Sequence, residues 1–260
     1  MDRDLSETEG GPTEFEIVTA LMFLYFSQEK VDIAVIEVGI GGTFDSTNVI
    51  KKPLVSVITT VAHDHAKLLG NSLKQIAGHK AGIIKEGCPV VVGNIPEEAL
   101  EVIKTRSAKK NARLFIPNED YFFKEAQKKI SWGEVIDYKG LGFKIDGLQT
   151  SLMGEFQREN AAVALSAFLV VALQKKWQIG NKEVRLAIKK ATWPGRFEAV
   201  SENPLVVLDG AHNIAAIDMI TKTINKRFKQ QHVYIIAAVL ADKQPREMFA
   251  QLNRLRNTTI

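Results

Sequence analysis

The sequence predicts an α/β fold on a mostly parallel sheet. β-Branched, strand-like runs alternate with stretches of helical periodicity, the rhythm of parallel strands joined by crossover helices. A glycine-rich stretch, Gly39-Ile40-Gly41-Gly42, follows one such run directly. Polar groups, Glu37 and His65 first among them, stand at the C-terminal ends of these runs, where open α/β sheets place their ligands.

Residues 1–13 are polar and end in Gly10-Gly11-Pro12, a loop signal. Thr13 with Glu16 forms a capping box, and Phe15, Val18, Leu21, Met22 and Tyr25 follow at helical spacing, so a buried helix is expected here. Residues 31–36 then read as a strand buried on both faces that delivers Glu37. The glycines after Glu37 permit a sharp turn and a close backbone approach. The dinucleotide fingerprint G-x-G-x-x-G fails because its third glycine would fall on Phe44, so a dinucleotide cofactor is not expected.

A second strand is expected over 54–60, followed by His63-Asp64-His65, with Glu37 and His65 at one edge of the sheet. A helix from Ser72 carries Lys80 into Ala81-Gly82-Ile83-Ile84, and a third strand spans 88–93. Residues 96–110 read as an amphipathic helix, whereas 114–152 has short alternating runs separated by polar turns, an antiparallel sheet. Gln157 and Asn160 precede a small-residue helix from Ala161 and share one face. Their amides suit a planar base or, equally, simple capping. Trp193-Pro194-Gly195-Arg196 marks a boundary, giving domains 1–193 and 194–260. In the second, a strand over 204–208 delivers Asp209-Gly210-Ala211-His212-Asn213, a helix spans 214–228, a second strand spans 233–239 and a helix begins near Pro245.

At 260 residues and 45% hydrophobic, the chain has core material for one large or two medium domains. The net charge of +4 is a mild excess. The basic cluster at 104–113 is interleaved with small residues as on a solvated helix, so no nucleic-acid partner is expected. Cys88 is the single cysteine, which excludes a disulfide framework, points to the cytoplasm and reads as a core residue. The acidic start is unlike a signal peptide, and the apolar stretch 161–173 is too short to span a bilayer, so no membrane association is expected. No G-x-x-x-x-G-K-[ST] phosphate loop occurs within the 260 residues.

Taken together, several motifs resemble the folylpolyglutamate synthase / dihydrofolate synthase family of the Mur-ligase superfamily. They are 13–20, Glu37-Val38-Gly39-Ile40-Gly41-Gly42 with Asp45-Ser46-Thr47-Asn48, Asp64-His65, and His79-Lys80-Ala81-Gly82-Ile83-Ile84-Lys85. Further on come Gly154 with Gln157 and Asn160, Pro194-Gly195-Arg196, and Asp209-Gly210-Ala211-His212-Asn213. The resemblance implies a Mur-ligase central (ATPase) domain over 1–193, without the family's first strand and phosphate loop, and an incomplete Rossmann-like C-terminal domain over 194–260. It implies an ATP- and Mg²⁺-dependent ligase that adds L-glutamate to a folate through an acyl phosphate, and a family whose intact members are monomeric. Glu37 and His65 would be Mg²⁺ ligands, and Lys80 the family's carbamylated lysine, grouped with them as metal-holding and catalytic. Without the motif, Lys80 would read as an ordinary helix lysine. Asn160 would touch adenine, while Arg196, Asp209 and His212 would close over the nucleotide, Arg196 by its fork geometry toward phosphate. Without a phosphate loop, the chain as given is expected to be inactive alone. A non-catalytic remnant that binds metal or a partner, and another Mur-type amino-acid ligase, are the alternatives.

Overall fold

The computed structural model describes residues 10–63, 66–241 and 243–260. It divides into two compact units, 1–114 and 115–260.

In the first unit α1 (Glu14–Glu29) starts with the expected capping box. The Glu16 N–H donates to the Thr13 hydroxyl at 3.3 Å, and the Thr13 N–H to the Glu16 carboxylate at 2.8 Å. The helix is not buried as expected: Thr19 is the residue it buries, and Val18, Leu21, Leu24 and Tyr25 stay exposed. Its apolar residues run around the circumference rather than along one stripe, so packing on one side cannot cover them. The expected strand over 31–36 is also not formed. These residues pair with no strand among the described residues, and Val35 is 92% exposed. A β-branched run becomes a strand only when a neighbour accepts its ladder.

The parallel strand–helix–strand expectation holds further on. β1 (Ser56–Ile58) leads to α2 (Ala66–Leu69) and α3 (Leu73–Lys80), the latter capped by a Ser72–Gln75 box. β2 (Val90–Val92) comes next and pairs parallel with β1, Ser56 lying opposite Val90. α4 (Glu97–Lys109) then starts at Pro96 and leads to β3 (Leu114–Phe115), in sheet order β1-β2-β3. The strand centre is covered on both faces, since Val90, Val91 and Val92 are fully buried with Ile76, Ala77 and Ile103 of the two helices. Each valine or isoleucine among them contributes about 1.5–3 kcal/mol by leaving water. Cys88 is buried at the entry to β2, as expected.

The second unit opens on the expected antiparallel sheet, β4 (Tyr121–Glu125), β5 (Glu134–Gly140) and β6 (Phe143–Thr150), paired in that order. Against it lies α5 (Glu155–Lys175), which starts six residues before the expected Ala161 and so takes in Gln157 and Asn160. α5 is long and apolar enough to cross a membrane by length and composition, but 67% of its most apolar window is buried in the fold. The Ser166 hydroxyl pins it, donating to Ala162 O at 2.8 Å and lying 2.9 Å from the Tyr138 hydroxyl. After α6 (Asn181–Lys190) come the hairpin β7 (Glu198–Glu202) and β8 (Leu205–Leu208), α7 (Ile214–Arg227), β9 (Val233–Tyr234), α8 (Pro245–Leu252) and β10 (Thr258–Thr259). The expected strand over 233–239 shrinks to β9, because its parallel partner β10 holds only two residues. β7 and β10 were not expected: β7 is short and polar, and its strand character comes from pairing with β8. One core joins the end of the three-stranded sheet region to α7 and α8, with Met153 packed among Phe197, Ile217, Ile224, Met248, Leu252 and Leu255, and Trp132 against it.

Charges also tie these parts. Arg158 is 11% exposed and pairs with Glu125, with Glu155 at 3.1 Å and with Glu134 at 3.8 Å. Lys226, in the last turn of α7, reaches Glu155 at 2.5 Å and Glu125 at 3.4 Å. The hydrogen bond from Arg158 holds the Glu125 carboxyl below its ordinary 4.5, against a smaller upward push from burial. The hydrogen bond from Lys226 does the same for Glu155, and that bond raises Lys226 above its ordinary 10.5. Depressed carboxyl values stabilise the fold fully above pH 4.5, and that part is lost as pH falls through the lower folded values. The lysine's part is present below 10.5 and lost as pH rises through its folded value. A melting-temperature profile should therefore be flat near neutrality and fall at both extremes. Salt should flatten the acid limb, since these carboxylates are half exposed.

Candidate functional site

Within the first unit, the loop after Glu37 is stitched to the corner that carries Lys80. Glu37 itself is exposed, at the end of the unpaired segment. Gly39 lies under α1 so closely that a Cβ there would sit 2.5 Å from Phe15 Cζ. Asp45 organises the loop from inside. Its carboxylate accepts from the Ile40 N–H at 2.9 Å, the Thr47 N–H at 3.0 Å and the Thr47 hydroxyl at 2.5 Å. Burial pushes its pKa up, but these donors together outweigh it and hold the carboxyl below the ordinary range. Asp45 is thereby committed to loop structure.

The stitches to the corner run through Thr43 and Asn48. The N–H and hydroxyl of Thr43 both donate to His79 O, at 2.9 and 3.1 Å. The Asn48 amide donates to Thr43 O and to Gly82 O, each at 3.2 Å, and Lys85 Nζ donates to Asn48 O at 3.2 Å. Gly82 has to be glycine, because a Cβ would lie 2.1 Å from Thr43 Oγ1 and 2.5 Å from Thr43 Cα. Lys80, half-buried at the end of α3, thus sits next to a corner fixed by the loop that Glu37 opens. A cleft of about 550 Å³ opens beside the same corner between α3 and α4, lined by Thr43, Gly78, Gly82 and Arg106 among others. Neither Glu37 nor Lys80 lines it.

His65 and Asp64 lie outside the described residues, and with them the expected meeting of His65 and Glu37 at one sheet edge. Among the described residues no group of three or more His, Cys, Asp or Glu is placed to hold a metal. Glu37 remains as an exposed oxygen donor. Magnesium keeps waters and nucleotide oxygens and takes one or two carboxylates from a protein, so a lone carboxylate is compatible with it.

The second unit gathers the other candidates. Gln157 and Asn160 do share one face of α5, Asn160 Nδ2 donating to Gln157 Oε1 at 3.0 Å, and Gln157 is buried while Asn160 is exposed. Asp209 joins two loops: one carboxylate oxygen accepts from the Phe197 N–H and the other from the Ala211 N–H, both at 2.7 Å. The Gly210 N–H donates to Gly195 O at 2.8 Å, and the Gly195 N–H to the Glu198 carboxylate at 2.8 Å. Arg196 and His212 are therefore held on adjacent loops, both exposed, His212 Nδ1 lying 3.0 Å from Gly210 O. Asn213 caps α7 through the Ala216 N–H at 2.9 Å, which fixes the loop to the helix. The clamp role of Asp209 and the cluster around Arg158 were not legible beforehand. The one local signal for the cluster was Glu155 and Arg158 at (i, i+3) spacing.

Comparison with known proteins gives two family matches. Residues 6–168 match the Mur ligase middle domain, and 195–255 match the Mur ligase, glutamate ligase domain. The chain is 42% identical over 246 residues to a folylpolyglutamate synthase of Lacticaseibacillus casei, covering 95% of this chain and 57% of that protein. It is 40% identical over 253 residues to a dihydrofolate synthase/folylpolyglutamate synthase of Bacillus subtilis, covering 96% of this chain and 58% of that one. The chain thus spans somewhat over half the length of these relatives. Among solved structures it is similar to the apo form of L. casei FPGS, with a TM-score of 0.87 and 38% identity over 96% of this chain and 60% of that one. It is equally similar to an FPGS–AMPPCP–folate complex, with a TM-score of 0.86 and 40% identity over the same shares, 96% and 60%.

Proposed function

Because this chain belongs to the Mur ligase family, in the branch of the folylpolyglutamate and dihydrofolate synthases, we propose that its residues serve an ATP- and Mg²⁺-dependent ligase that adds L-glutamate to a folate. The observation that carries this is the stitched corner: the Glu37 loop bound through Thr43 and Asn48 to the end of α3, where Lys80 stands. The folate carboxylate attacks the γ-phosphorus of ATP and ADP leaves. The glutamate amine then attacks the acyl carbon, phosphate leaves and the amine loses a proton. Bound magnesium would neutralise phosphate charge in the first of these steps. Glu37 and His65 would hold it, and Lys80, after its amine adds carbon dioxide and loses a proton, would present a carboxylate to the same place. Asn160 would meet the adenine, and Arg196 the phosphates. Asp209 would act by holding the Arg196 and His212 loops together. We assign 1–193 to the Mur-ligase central domain and 194–260 to the C-terminal domain, and place the protein in the cytoplasm with small-molecule partners, intact members of the family being expected as monomers.

The test is ADP release with ATP, Mg²⁺, L-glutamate and a reduced folate. The 260 residues contain no phosphate loop, so this polypeptide is expected to show no turnover. Joined to family-type segments that supply the loop and the rest of its relatives' length, it is expected to release ADP only when folate and glutamate are both present. Turnover by the 260-residue chain itself would mean that phosphate is held by other residues. Failure of the joined protein with folate, but not with another acid acceptor, would overturn the substrate.

A further inference from the structure

Two helices of the second unit carry groups assigned above to the nucleotide. The first turns of α5 carry Gln157 and Asn160, and α7 begins directly after the His212 loop. Between Gln157 and Asn160 stands Arg158, which points away from solvent into three carboxylates supplied by three different elements: Glu125 of β4, Glu134 of β5 and Glu155 of its own helix. Two of these, Glu125 and Glu155, are shared with Lys226 in the last turn of α7. The neighbouring Arg227 adds hydrogen bonds from its guanidinium to Ile130 O at 3.0 Å and to Ser131 O and Gly133 O at 3.3 Å, so the far end of α7 is bound to the β4–β5 connection. Glu134 is committed further, since its other oxygen accepts from the Gly154 N–H at 3.2 Å just before α5 begins.

We infer that Arg158 is a positioning residue of the proposed nucleotide site, holding the start of α5 and the end of α7 in one frame so that Asn160 and the His212 loop keep a fixed relation. The inference rests on the nucleotide reading of Asn160 and His212. Arg158 would act through Glu125 and Glu155 without touching the nucleotide. A guanidinium suits the task because its fork serves several carboxylates at once, which a lysine ammonium does with less geometric definition. The five groups of the cluster, Glu125, Glu134, Glu155, Arg158 and Lys226, carry three negative and two positive charges. Removing Arg158 would leave Glu125 and Glu155 facing one lysine and the buried Glu134 without its guanidinium partner, and repulsion would open the tie.

The test compares the 260-residue chain with Arg158→Met and Arg158→Lys by amide hydrogen exchange, and by the NMR shift of the Asn160 side-chain amide on titration with adenosine. Arg158→Met is expected to speed exchange in the last turn of α7 and the first turn of α5 by about tenfold or more, the scale of one lost charge-assisted hydrogen bond, with β1 and β2 unchanged. It is also expected to weaken the adenosine response at Asn160 while α5 stays helical. Arg158→Lys should restore a part of both. Should Arg158→Met fail to fold, Lys226→Met on the exposed side of the cluster reads the same tie, with faster exchange at both helix ends expected. Unchanged α7 protection in the folded variant would overturn the inference. If the unaltered chain gives no adenosine response at Asn160, the nucleotide reading fails instead, and the exchange data still decide whether Arg158 couples the two helices.

Discussion

Asp209→Ala is expected to destabilise the second unit by about 1–3 kcal/mol, because hydrogen bonds to a charged acceptor are each worth up to that range and exposure to water reduces the pair. The carboxylate accepts two N–H groups at 2.7 Å, from Phe197 on one loop and Ala211 on the other. Alanine removes both acceptors. The Phe197 N–H is partly buried and would lose its partner without full access to water, while Phe197 itself belongs to the core with Met153 and Ile217. Asp209→Asn keeps one acceptor oxygen and turns the other position into a donor facing an N–H, so it should recover less than half of the loss. Urea denaturation followed by tryptophan fluorescence measures this directly, since Trp132 and Phe197 are in ring contact. An Asp209→Ala chain as stable as the parent would show that the two loops are held by the Gly210-to-Gly195 bond and the β7–β8 ladder without it.

Gly133→Ala should cost more, about 2–5 kcal/mol. Gly133 has φ +90, and a Cβ there would lie 2.1 Å from the Thr150 carbonyl oxygen, a backbone atom that cannot swing aside. The strain of a left-handed conformation is about 1–2 kcal/mol. Forcing the strands apart adds about 1–3 kcal/mol. The place matters as much as the contact, for Glu134 pairs with Thr150 at the very start of the β5–β6 ladder, and Gly133 O receives Arg227. Gly142→Ala is the control: φ is +83 there and nothing lies within 4 Å, so only the conformational part should appear. Equal losses for the two substitutions would mean that the ladder absorbs the clash.

What the chain discloses before folding is what depends on near neighbours. The Thr13–Glu16 box stands where expected, and the Ser72–Gln75 box caps the helix expected from Ser72; each is satisfied by residues three apart. β2 is legible because its valines need apolar cover on both faces, and the alternation over 121–150 marks an antiparallel sheet with one covered face. Residues 31–36 have the same chemistry as β2, but strand formation depends on a neighbour that their own composition cannot supply. β7 and β10 fail in the opposite direction, since polar or very short segments became strands because a partner was there. For the candidate site, the motifs named Glu37, Lys80, Asn160, Arg196, Asp209 and His212 as candidates. They did not disclose that Asp209 spends its charge on two backbone N–H groups, or that Arg158 draws on residues as far apart as 125 and 226. Such ties join distant positions and leave no periodic trace.

The burial of α5 bears on how the chain is made. Among the described residues it is the one helix long and apolar enough to cross a bilayer, and exposed by itself it would be open to wrong contacts with other chains or with a bilayer. Its cover, however, is encoded just ahead of it. β4, β5 and β6 end at Thr150 and the helix begins at Glu155, so a ribosome releases the sheet first and the helix only a few residues later. At ordinary synthesis rates of about 5–20 residues per second the sheet has about a quarter of a second to a second in which to form before the helix begins, against microseconds for a hairpin. The helix therefore emerges beside a surface already able to take it, with Tyr138 in place to meet Ser166.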